Sequence, residues 1–124
     1  MNYLGQGEDL IARVAAEYNL LSGKLLSVVI AVDNIGIVNV EIKYQSIYAK
    51  SKLKVLLACK SVICYSFFYQ NRSYFETIED FKFFKSNKGF YLCFDPDIET
   101  DRFTISETDQ DFILFENLEG YTLE

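Results

Sequence analysis

Residues 25–44 constrain the fold more than any other stretch. Leu25 to Val32 is a nearly unbroken apolar run rich in valine, Asp33-Asn34-Ile35-Gly36 has the composition of a turn, and Ile37 to Tyr44 alternates. In an extended chain Val38, Val40, Ile42 and Tyr44 point one way and Asn39, Glu41 and Lys43 the other, because successive side chains of a strand face opposite sides. The stretch is therefore read as a β-hairpin, and the rest of the chain has to be built around a sheet. The first strand does not alternate. Its unbroken apolarity predicts a central position, covered on both faces, with a helix on one of them.

That helix is expected just upstream. Leu10, Ile11, Val14, Ala15, Tyr18 and Leu21 form one apolar stripe from about Glu8 to Leu21, with Glu8, Asp9, Glu17 and Asn19 facing outward. Glu8 and Asp9 complement the positive end of the helix dipole, Asp9 and Arg13 are spaced for an i,i+4 pair, and Ser22-Gly23 is a stop signal. Gly5-Gln6-Gly7 opens like a phosphate loop. No strand is expected before it, however, and Leu10 stands where a third glycine belongs, so it is read as the entry to the helix.

Beyond the first hairpin, Gln45 to Lys52 is polar and is expected to loop out. In 53–69, Leu53, Val55, Leu57 and Cys59 alternate, whereas Leu53, Leu56, Leu57 and Cys64 would also suit a helix. Two strands broken near Lys60-Ser61 are the preferred reading. Gln70 to Ser73 is a polar turn. A second hairpin pairs Asp80-Phe81-Lys82-Phe83-Phe84-Lys85 with Phe90-Tyr91-Leu92-Cys93-Phe94 around Asn87-Lys88-Gly89. Pro96 ends its second strand, and Phe112-Ile113-Leu114-Phe115 follows a long acidic loop.

The whole, residues 1–124, is expected to be one α+β domain: an N-terminal helix packed on a mainly antiparallel, meandering sheet of about six or seven strands. Val38, Val40, Ile42, Leu92 and Phe94 should be buried, with Leu10, Val14 and Tyr18 against the sheet. The chain has 124 residues, 50% of them hydrophobic and 16% aromatic, which suffices for a real core and excludes disorder.

Charge narrows the function. The net charge is −6, but residues 1–94 hold 11 basic and 8 acidic groups, whereas residues 95–124 hold 1 basic and 10 acidic. An acidic segment of that density repels phosphate and argues against nucleic acid; a basic protein is the natural partner. The chain contains no histidine, which removes histidine bases, histidine triads and histidine metal ligands. Cys59, Cys64 and Cys93 lack the paired spacing of a zinc site and lie within apolar runs, as buried reduced thiols of a cytoplasmic protein would. Met1-Asn2-Tyr3-Leu4-Gly5 lacks a basic region ahead of an apolar one, and Val28 to Val32 is too short to span a bilayer, so neither secretion nor a membrane partner is expected.

The candidate site is the acidic loop. Asp95-Pro96-Asp97-Ile98-Glu99-Thr100-Asp101 places carboxylates at alternate positions, as a calcium loop does. Thr100 then stands where a glycine is required, and Ser106 where the bidentate glutamate belongs, with Glu107 one place late, so no metal is expected there. The remaining reading is recognition. Asp97, Glu99, Asp101, Glu107, Asp109 and Asp111 would meet a basic partner, with Tyr91 and Tyr121 as apolar anchors.

Phe90-Tyr91-Leu92-Cys93-Phe94-Asp95-Pro96-Asp97, followed by Ser106-Glu107-Thr108-Asp109-Gln110-Asp111-Phe112, resembles the endings of small acidic bacterial proteins that include immunity proteins of toxin systems. The resemblance implies a small cytosolic partner-binding protein, an inhibitor of a basic toxin, and carries over no catalytic residue. No catalytic group and no cofactor are assigned, and self-association is compatible with this reading. The alternatives are a small-molecule or metal-binding module using residues 95–111, or a carboxylate-dependent enzyme.

Overall fold

The computed structural model describes residues 1–47, 54–68 and 77–123. Within them the chain forms β1 (Asn2–Gln6), α1 (Gly7–Glu17), β2 (Lys24–Val32), β3 (Val38–Gln45), β4 (Lys54–Ser66), β5 (Lys82–Ser86), β6 (Gly89–Asp95) and β7 (Gln110–Leu123). This is an α+β fold, one helix with a seven-stranded antiparallel sheet. The sheet is not a single meander. β2-β3-β4 and β5-β6-β7 are two separate meanders, joined where β7 lies beside β4. The proposed turn at Gln70–Ser73 lies outside the described residues.

β7 is the spine. One of its edges pairs with β4 along most of its length, from Leu123 opposite Lys54 to Phe112 opposite Ser66. Its other edge is shared in tandem: β6 takes Gln110 to Phe115 and β1 takes Glu119 to Thr122. In the sequence only Phe112 to Phe115 signals a strand, because Glu116, Asn117 and Glu119 interrupt the apolar pattern. Main-chain pairing with β4 carries the strand through Asn117, and β1 takes up the other edge from Glu119.

The first hairpin forms in the expected register, Ile30 opposite Val40 and Val28 opposite Ile42. Val40, Ile42, Tyr44 and Leu92 are fully buried, whereas Val38 and Phe94 are half-buried. β2 departs from expectation. It is the terminal strand of the sheet order, not a central one. Only its start is enclosed: Leu25 is buried, and Val29, Ile30 and Val32 are exposed.

α1 is shorter than its apolar stripe. It stops at Glu17, because Tyr18 leaves the helical conformation and the Asn19 carboxamide oxygen accepts from the Leu21 N–H in a local turn. β3 and its extension capture the carbonyls freed at this end: the Tyr44 hydroxyl donates to Tyr18 O, and Ser46 Oγ donates to Asn19 O. Leu10 and Val14 join the main apolar cluster with Val40, Ile42, Leu57, Ile113 and Phe115. Gly120 makes room for the helix, since a Cβ there would lie 2.7 Å from Leu10 Cδ2. The strand preceding the helix, β1, has no signal in the sequence. It is short, contains Gly5, and exists because β7 offers it a free edge.

β4 is one strand where two were expected. Ser61 adopts a positive φ of 55°, the ladder slips between Val62 and Cys64, and pairing with β3 ends at Cys59. The break read at Lys60-Ser61 is thus a bulge that turns the strand away from β3. All three cysteines are free, but only Cys59 and Cys93 are buried; Cys64, just past the bulge, is exposed.

Candidate functional site

The second hairpin is apolar on both faces, and each face has its own core. Phe83, Phe90 and Leu92 join the cluster that includes α1, while Phe84, Tyr91 and Cys93 form a smaller cluster with Leu114, Ile105 and Phe112. Residues 96–109 lie over this second face. Lys82, two residues before Phe84 and opposite Cys93, points into the same layer.

Lys82 is 2% exposed, yet its ammonium is fully partnered. Nζ donates to Thr100 Oγ1 (2.8 Å), Thr104 O (2.9 Å) and the Asp109 carboxylate (2.9 and 3.0 Å). Asp109 also accepts from the Tyr91 hydroxyl (2.8 Å), the Asp97 N–H (2.8 Å) and the Ser106 N–H (3.1 Å). No buried side-chain nitrogen or oxygen among the described residues lacks a hydrogen bond. The pair fastens both ends and the middle of the loop to the sheet. Burial pushes the Asp109 carboxyl up, but the amides, the ammonium and the phenol together outweigh it and hold it below the ordinary carboxylate range. Burial, reinforced by Asp109, raises the Tyr91 phenol, and burial pushes the Cys93 thiol up to about 12.

The acids proposed as one recognition face therefore have different fates. Asp109 and Tyr91 are buried and correct that expectation: both are internal fasteners, and neither can meet a partner directly. Asp97 accepts from the Thr108 hydroxyl and, secondarily, the Glu99 N–H, which hold its carboxyl below its usual value. Asp111 is turned inward by a positive φ of 53° and accepts from the Phe68 N–H at 2.7 Å. Tyr121 lies toward the other end of β7, where its hydroxyl donates to Glu119 and its ring meets Tyr3 edge-on. Glu99, Asp101 and Glu107 are exposed.

Two residues that the sequence reading passed over accompany them. Ile98 is 82% exposed and Phe103 74% exposed, both on the acidic loop. The Phe103 N–H is held by the Asp101 carboxylate at 2.7 Å, and its ring meets Phe84 edge-on. Phe103 also borders a groove of about 470 Å³ lined with Ile11, Ala12, Phe83 and Phe84, with Glu8 and Lys85 contributing charge. An isolated apolar residue inside an acidic run was the available signal. Lys82 gave no comparable one, since Lys82 and Lys85 of the same strand look alike in sequence and only the first is buried.

The loop does not assemble into a calcium-type cage, and no group of three or more cysteine and carboxylate side chains suited to a metal occurs among the described residues. Among the described residues no helix is long and apolar enough to cross a membrane. No family model, curated protein or solved structure matches this chain.

Proposed function

We propose that this protein binds a basic protein partner through residues 95–107, acting in the cytoplasm as an inhibitor of the immunity type rather than as an enzyme. One observation carries the reading: a loop fixed from beneath by Lys82 and Asp109 presents Ile98 and Phe103 among Glu99, Asp101 and Glu107. Binding then costs little loop ordering, because the loop is already held. The exposed carboxylates steer a basic surface into contact, and Phe103 with the adjoining groove supplies the apolar anchor. Tyr91 serves this site from below by holding Asp109.

The test begins with capture of the partner from the native host, followed by association kinetics over a range of salt. Glu99→Gln with Asp101→Asn and Glu107→Gln should lower the association rate about tenfold at low salt and flatten its salt dependence. Phe103→Ala should leave that rate nearly unchanged and raise the dissociation rate at least about tenfold. A partner whose rates ignore all four substitutions places the binding surface elsewhere, on the Lys43–Lys60 side.

A further inference from the structure

We propose that the outer edge of β5 receives an extended segment of the basic partner, which adds to the sheet as a further strand. The inference rests on the partner-binding reading and specifies how that partner is held. β5 ends the strand order, and among the described residues it pairs only with β6. Ser86 and Gly89 flank a two-residue turn and face each other as the closing pair of that hairpin. Such a pair exchanges both main-chain hydrogen bonds, and the pattern alternates from there along the strand. Phe84 and Lys82 therefore bond to β6, whereas Phe83 and Lys85 turn their N–H and C=O groups outward. Among the described residues neither makes a main-chain hydrogen bond beyond the ladder. Phe81, the outward residue just before β5, is already covered, since its carbonyl faces Arg102 Nη1 at 3.4 Å.

The groove of about 470 Å³ beside Phe103 runs along this same edge. Its lining follows the chain from Phe83 to Asn87, and its other residues belong to α1 or are Phe103 itself. The two walls stand on opposite faces of the sheet. Ile11 packs on the cluster that holds Phe83, whereas Phe103 meets Phe84, a member of the cluster on the other face. An extended chain laid along β5 sends alternate side chains to both faces, one set toward Ile11 and Ala12 and the other toward Phe103. The shape thus selects a strand as the occupant.

Charge selects a basic one. Glu8 is exposed on the α1 wall and makes no ion pair among the described residues, and Asp101 is exposed beside Phe103. Lys85 is the one cation among the described lining residues, and its ammonium lies over the Phe90 ring, 5.5 Å from the centroid. The occupant is therefore an apolar stretch with a lysine or arginine beside it, placed to meet Glu8 or Asp101.

A peptide of defined chemistry tests the edge directly: four valines with two lysines on either side and both ends capped. At tenfold above its dissociation constant, amide exchange at Phe83 and Lys85, read by NMR, should slow about tenfold. The same peptide N-methylated at all four valines should give no slowing, because it has no strand donors left. Lys85→Pro removes an outward N–H and spares the β6 ladder, and Ala12→Lys fills the α1 wall. Each should weaken the peptide at least about tenfold, with melting close to the parent's. Unchanged exchange at both amides up to about 1 mM peptide overturns the proposal, as does slowing that the N-methylated peptide reproduces. The captured partner separates this inference from the reading beneath it. Dissociation accelerated at least about tenfold by Lys85→Pro, as by Phe103→Ala, supports strand addition. A partner that needs Glu99, Asp101 and Phe103 yet ignores Lys85→Pro and Ala12→Lys leaves the reading intact and overturns the added strand. A partner that ignores all of these substitutions overturns both.

Discussion

Lys82→Met should destabilise the protein by about 3–5 kcal/mol, the cost of leaving a buried charge without its counter-ion. The reasoning rests on Asp109. In this variant its carboxylate keeps the Asp97 and Ser106 amides and the Tyr91 hydroxyl but loses the ammonium, while remaining in an apolar layer with Phe84, Cys93 and Leu114. Asp109→Leu should be as damaging, because it strands the ammonium and leaves both loop amides and the phenol without an acceptor. Lys82→Met with Asp109→Leu should recover part of the loss, since no charge is then buried. Equilibrium unfolding in urea measures all three, and strictly additive losses would show that the two groups are not coupled.

The same pair sets a pH dependence. Asp109 has a folded-state pKa below the value of a free carboxyl. A depressed carboxylate contributes stability that is fully present above the unfolded pKa and is lost as pH falls through the folded one. Stability should thus hold at neutral pH and fall below about pH 4, where the unfolded chain begins to take up the proton. Asp111, raised chiefly by burial, runs the other way and softens the fall. In the Lys82→Met variant the acid limb should be shallower, because the folded-state pKa of Asp109 moves up toward the unfolded value, which still sets where the limb begins.

What the sequence revealed divides along the range of the forces involved. Val40, Ile42 and Tyr44 were legible because a strand with one buried face writes a period of two into its own residues. Pro96 marked a strand end, and β6 stops at Asp95. The helix stripe was legible, but its end was not: Tyr18 and Leu21 continue the spacing past Glu17, yet Leu21 is exposed and its neighbour Leu20, off the assigned stripe, is the one buried after the helix ends. β1 and the second half of β7 were hidden because edge-to-edge pairing fixes them, and main-chain hydrogen bonds leave no mark on side-chain pattern. The candidate site was legible as a charge density only. Which carboxylates are spent inside the fold depends on Lys82 meeting Asp109, residues 27 positions apart and brought together by the β5-β6-β7 meander.

Val40→Asp should be the most damaging change in the first hairpin, costing several kcal/mol. Val40 is fully buried and sits in the ladder on both sides, opposite Ile30 in β2 and Cys59 in β4. Val40 lies in an apolar cluster that offers no cation among the described residues, so the new carboxyl must either stay unpaired or remain protonated, and the loss should deepen as pH rises above its ordinary range. Glu41→Ala, one residue on and facing solvent, should change stability by no more than about 0.5 kcal/mol. The contrast is set by register. A slip of one residue would carry Glu41 into the core and Val40 out of it, and would reverse the order of the two effects. Thermal melts of the two variants read this directly, and a Val40→Asp protein that melts with the parent would place the opposite face of β3 against the core.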